Sequence, residues 1–168
     1  MNINKNEIIV GSINSLYRTL CIVCLAILVS MFITIGIHYI VYDIFKESKN
    51  FYSPYDNLKY IYFILIFLAV ILCLYIRKLH FPKQIAGLIE KLNKTSVKTF
   101  SYAEILEKYS TNVILSIVLT ETIVTIGFIF SLLTRNIILF YISIIISVCL
   151  LIYCAPKKSE IKALINYK

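Results

Sequence analysis

Apolar positions fall in four long stretches with short polar breaks between them. No Asp, Glu, Lys or Arg occurs in 19–42, 60–76 or 136–155, and 109–134 carries one acid, Glu121. At 1.5 Å per residue, a hydrocarbon layer of ~30 Å takes about 20 residues to cross. The pattern therefore predicts four transmembrane helices, at about 19–42, 59–77, 111–134 and 136–155. The second is short and flanked by Lys59 and Arg77, whose long stems let the charges snorkel to water. The expected fold is an all-α integral membrane protein, a single domain over 1–168, built as a four-transmembrane-helix bundle with a cytoplasmic helical extension between helices 2 and 3.

That extension is the amphipathic segment 82–108. After Phe81-Pro82, residues Ile85, Leu88, Ile89 and Leu92 recur at helical spacing while Lys83, Lys91 and Lys94 take other faces, the signature of a basic amphipathic helix. Ser101-x-x-Glu104 fits a capping box. From Tyr102 no Pro or Gly interrupts the chain before the third membrane run, so one helix is expected to project from the bilayer and then enter it.

On a wheel of about 100° per residue, Leu115, Leu119, Ile126, Ile129, Phe130 and Leu133 share one sector and are expected to face lipid. Ser116, Thr120, Gly127, Ser131 and Thr134 share another. Small and hydroxyl residues let backbones approach and bond, so this sector should pack on protein. Ser143 and Ser147 in the last run suit it. In the first run Ser30, Thr34 and His38 lie at i, i+4 and i+8, on one face.

Composition excludes a water-soluble domain. The chain is 60% hydrophobic and 15% charged, against about half and a quarter in soluble proteins. Thirteen of the 17 basic residues lie in the N-terminal tail, the second loop and the C-terminal tail, leaving Lys46, Lys49, Lys59 and Arg135 on the other side. By the positive-inside rule both termini are cytoplasmic, in the cytoplasmic (inner) membrane of a bacterium. The net charge of +8 follows helix ends rather than one compact patch, so no nucleic-acid partner is expected. All five cysteines lie in or beside apolar runs and read as small packing residues.

Candidate chemistry narrows to Glu121. A charged side chain at mid-bilayer costs roughly 2.5–3.5 kcal/mol on insertion scales, so such a residue faces protein or water. Arg135 is about 21 Å along the axis, and no cation shares the depth of Glu121. It is either a structural acid hydrogen-bonded to hydroxyls or a proton- or cation-exchanging group. Ser30, Thr120 and Thr125 are the candidate hydrogen-bond partners, with Ser30 favoured because it lies near the midpoint of its run. No Ser/His/Asp set, zinc spacing or Gly-rich phosphate loop occurs, so no enzyme, catalytic residue, metal or cofactor is expected.

Glu121-Thr-Ile-Val-Thr-Ile-Gly127-Phe-Ile129 resembles the carboxylate-bearing helix of the proteolipid (c) subunit of rotary ATP synthases. The resemblance implies that Glu121 carries a proton. The glycine-rich partner helix and Arg-Gln-Pro loop of that family are missing. With its short turn and an apolar fourth helix ending at Pro156-Lys157-Lys158, the whole chain looks more like small four-helix bacterial membrane proteins with a proteolipid-like third helix. The expected role is that of a non-enzymatic subunit or accessory factor, whose partners are the lipid bilayer and other membrane-protein subunits or further copies of itself. The alternative is a proton- or ion-translocating oligomer using Glu121.

Overall fold

A computed structural model describes residues 5–47, 57–80 and 101–165, with side-chain environments over 11–44, 57–78 and 104–161. Residues 48–56, in the loop between the first two expected spans, and the part of the amphipathic segment before 101 lie outside the described residues. Apart from Asn57 and the short connections at 135–136 and 155–157, the described residues are helical, without a strand. They form α1 (Lys5–Glu47), α2 (Leu58–Tyr75), a π-helical turn (Ile76–His80), α3 (Ser101–Thr134), α4 (Ile137–Cys154) and α5 (Lys158–Ile165). Four helices are long and apolar enough to cross a membrane, with mean hydropathies of 2.3 to 2.9 over their most apolar windows.

Helix α3 is the hub. In its most apolar window 39% of residues are buried, against 11% in that of α1. One core joins Leu20, Ile27 and Met31 of α1 to Val113, Ile117 and Val124 of α3 and Phe140 of α4. A second joins Tyr62, Ile66 and Cys73 of α2 to Ile123 of α3 and Leu139 and Leu150 of α4. The α3–α4 hairpin thus carries α1 on one flank and α2 on another. Leu119, Ile126 and Phe130, expected on lipid, pack instead against the second core. The lipid sector is narrower than the wheel implied because α2 covers part of it, and only Leu115, Ile129 and Leu133 of that set are exposed.

The small-residue face of α3 receives α4. Ser116, Thr120, Ser131, Ser143 and Ser147 are all fully buried. Ser147 donates its hydroxyl to the Thr120 carbonyl at 2.5 Å, and a Cβ built on Gly127 would lie 2.2 Å from Ser143 Oγ. The glycine is what lets the backbones close to this distance. Across the hairpin turn Arg135 adopts φ 52°. Asn136 N–H reaches the Ser131 carbonyl at 3.1 Å and Arg135 N–H the Leu132 carbonyl at 3.4 Å, a Schellman ending with Arg where Gly is usual. Asn136 then caps α4, its side chain accepting from Ile138 N–H at 3.0 Å.

Helices α1 and α3 run parallel in a fixed register. Bonds from α1 join Ser30 to Glu121 and His38 to Ser131 of α3, and Tyr42 to the Arg135 carbonyl in the turn after it, at separations of 91, 93 and 93 residues. The C-terminal tail also folds. Pro156 cannot continue α4, and α5 turns back so that Ile161 is fully buried in the same core as Ile13, Ile105 and Tyr109.

Candidate functional site

Glu121 stands where the α1-covered face of α3 meets the face left open. Ser30 Oγ donates to Glu121 Oε1 at 2.5 Å. Their meeting follows from the parallel register, which brings the middles of the two apolar runs to one depth. Glu121 remains half-buried. Oε2 has no partner among the described residues and is not buried, so one carboxyl oxygen is tied to α1 and the other faces outward. No described cation lies within ion-pair distance of it.

The other two expected partners do not reach the carboxyl group. Thr120 Oγ1 donates to the Ile117 carbonyl at 2.6 Å, and Thr125 Oγ1 to the Glu121 backbone carbonyl at 3.2 Å. Both corrections have one cause. A short hydroxyl side chain on a helix leans toward the preceding turn and finds the carbonyl there first. Thr120 is in any case turned toward α4, and Thr125, like Thr122, is exposed. Glu121, Thr122 and Thr125 therefore form a polar edge on the outer surface of an otherwise apolar helix.

Two turns along α1, His38 is 1% exposed. Its Nε2 lies 2.6 Å from Ser131 Oγ, and Ser131 in turn donates to the Phe128 carbonyl at 2.8 Å. The Ser131 hydroxyl thus has two acceptors in reach, and which group donates between it and Nε2 depends on the ring tautomer. The ring stacks on Phe140 with centroids 3.9 Å apart and on Tyr42 at 5.5 Å. Sequence reasoning placed His38 on the polar face of α1 but found no partner for it. The four-residue period of Ser30, Thr34, His38 and Tyr42 continues the seam to the helix end, and was the available signal.

A second polar cluster lies at the basic end of the bundle. Arg77, expected to snorkel, has a side chain only 6% exposed and pairs with Glu160 at 2.5 Å. Its guanidinium lies 5.6 Å from the Tyr109 ring centroid. Tyr109 OH donates to the same Glu160 oxygen at 3.2 Å and accepts from Lys157 N–H at 3.2 Å. The correction arises because α5 brings Glu160 back over the end of α2, so the charge is met by protein before it reaches water. One turn earlier, Cys73 Sγ lies 3.5 Å from Cys154 Sγ and 3.6 Å from the Ser116 carbonyl.

Among the described residues no group of three or more His, Cys, Asp or Glu side chains is arranged to hold a metal ion. Comparison with known proteins finds no family model, no curated protein and no solved structure that matches the chain.

Proposed function

We propose that the protein is a non-enzymatic multi-pass membrane protein that works as a subunit or accessory factor of a membrane complex, docking through the outer edge of α3. The observation that carries this reading is Glu121, half-buried at the bundle surface with one carboxyl oxygen tied to Ser30 and the other facing outward. A polar group left toward hydrocarbon is expensive, and a partner helix offering a donor removes that cost. Exposed Thr122 and Thr125 extend the same edge. The basic residues set the orientation, with both termini in the cytoplasm and the bilayer being the inner membrane of a bacterium.

A photo-crosslinking side chain at Thr125, compared with one at Phe67 on the exposed face of α2, tests the docking. Thr125 should yield one defined protein adduct, whether a different subunit or a second copy, and Phe67 only lipid. Lipid adducts alone at both positions would overturn the proposal. Orientation is read with an impermeant thiol reagent on cysteines placed at Asn57 and Ser159, in a chain without its own cysteines. Asn57 should label from outside and Ser159 only after the membrane is opened.

A second reading, a proteolipid-like oligomer that exchanges protons or cations at Glu121, is favoured by the same outward oxygen. A lipid-soluble carbodiimide separates the two. Exchange requires rapid modification of Glu121 that slows as pH rises, together with loss of ion flux in Glu121→Gln. Docking alone requires neither.

A further inference from the structure

Five cysteines were read as packing residues, yet two of them meet. Cys73 near the end of α2 and Cys154 at the end of α4 are both fully buried, with their sulfurs 3.5 Å apart. They are 81 residues apart in sequence, and they are the two buried cysteines among the five, the others being half-buried or exposed. Arg77 follows Cys73 by one helical turn, and its Nη1 is buried without a hydrogen-bond partner among the described residues. Arg77 is paired with Glu160, and its spare Nη1 donor in the same buried cluster is a group that favours a transient thiolate beside it.

We propose that Cys73 and Cys154 are an oxidisable dithiol, which a small peroxide converts to a disulfide that fastens α2 to α4 at the basic end of the bundle. One sulfur attacks the peroxide O–O bond, which breaks to give a sulfenic acid and water. The second thiol displaces the sulfenic hydroxyl, forming the S–S bond and releasing a second water. The net change is two thiols and one hydrogen peroxide to one disulfide and two waters, with two electrons passing from sulfur to oxygen. The sulfurs must close from 3.5 Å to about 2.05 Å, a movement that side-chain rotation supplies together with a small shift of the helix ends. On a cytoplasmic face thiols rest reduced, so the pair responds to oxidant rather than serving as a permanent staple. This inference is independent of how Glu121 is used.

The test uses the full chain in lipid nanodiscs with Cys21, Cys24 and Cys149 changed to Ser, titrated with hydrogen peroxide. Maleimide counting after denaturation should find two free thiols before treatment and none after, with a mass loss of two hydrogens that dithiothreitol reverses. The oxidised protein should unfold at a higher temperature than the reduced one. Should that variant not fold, peptide mapping of the unsubstituted protein reads the same bond as a Cys73–Cys154 linked peptide. Two thiols still free at a dose that oxidises exposed Cys149 of the unsubstituted chain, separate sulfinic acids at the two positions, or disulfides only between chains would each overturn the proposal.

Discussion

Gly127 of α3 faces Ser143 of α4 so closely that an added methyl group would lie 2.2 Å from Ser143 Oγ and 2.4 Å from its Cβ. Ser143 is unable to swing aside, because its hydroxyl is held by the Leu139 carbonyl at 3.1 Å and by Tyr62 OH at 2.8 Å. Gly127→Ala should therefore force the hairpin apart and cost about 1–3 kcal/mol, the range for overpacking a close contact, despite the better helix propensity of Ala. In a Ser143→Gly background the same substitution should cost nothing. Unfolding in detergent checks both. Equal losses in the two backgrounds would show that the close approach is not what matters.

The Ser30–Glu121 bond should be modest in energy, because a hydroxyl freed in a membrane finds a carbonyl on its own helix. Double-mutant cycles on bonds of this kind average about 0.6 kcal/mol, with about 1.7 as the upper end. Combining Ser30→Ala with Glu121→Met, which removes the acceptor, should give a coupling within that range. A coupling of zero would place the carboxyl elsewhere.

Much of this architecture was legible in the sequence because a bilayer leaves the chain few choices. Long runs with at most one charge mark the four helices that are long and apolar enough to cross a membrane. The small-residue stripe from Ser116 to Ser131 marked the buried face of α3, and depth alone paired Ser30 with Glu121. What escaped depends on register and on contacts distant in sequence. Thr120 and Thr125 looked like partners for the carboxyl by proximity along the helix, yet each hydroxyl goes to a backbone carbonyl. Arg77 looked like a snorkelling charge because its partner, Glu160, lies on a helix of eight residues. So short an element is marginal alone, and only burial of Ile161 reveals it.

His38 should prove to matter more as a ring than as a hydrogen-bond partner of Ser131. His38→Phe keeps the stack on Phe140 and leaves Ser131 bonded to the Phe128 carbonyl, so no donor is orphaned and the cost should stay within about 1.5 kcal/mol. His38→Ala opens a cavity between α1 and α4 and should cost about 3 kcal/mol or more. Thermal unfolding of the two variants side by side decides the matter. Equal losses would assign the energy to the bond with Ser131.

Removing Glu160 should be worse than removing the pair. Glu160→Ala leaves the buried Arg77 guanidinium without its carboxylate. The loss expected is about 3 kcal/mol, the low end for a broken buried pair, since the Glu160 side chain keeps 35% of its exposure. Changing Arg77→Met and Glu160→Gln together should recover most of that loss. A double variant as unstable as Glu160→Ala would mean that Tyr109 and Lys157 depend on the charge itself.

The parallel register of α1 and α3 also sets a schedule for synthesis. The bonds from Ser30, His38 and Tyr42 of α1 reach residues 91 or 93 positions further on, so α1 is complete long before the helix that will receive it exists. At about 5–20 residues per second, some 5 to 20 seconds separate the emergence of Ser30 from that of Glu121, and of His38 from that of Ser131. Through that interval α1 is without α3, but its most apolar window, of mean hydropathy 2.9, is apolar enough for a membrane and its hydroxyls can turn onto its own backbone, as Thr34 does onto the Ser30 carbonyl. His38 has its bond on Ser131 and none on its own helix, so until α3 arrives it is a residue of α1 whose polar group waits as long as any for a partner.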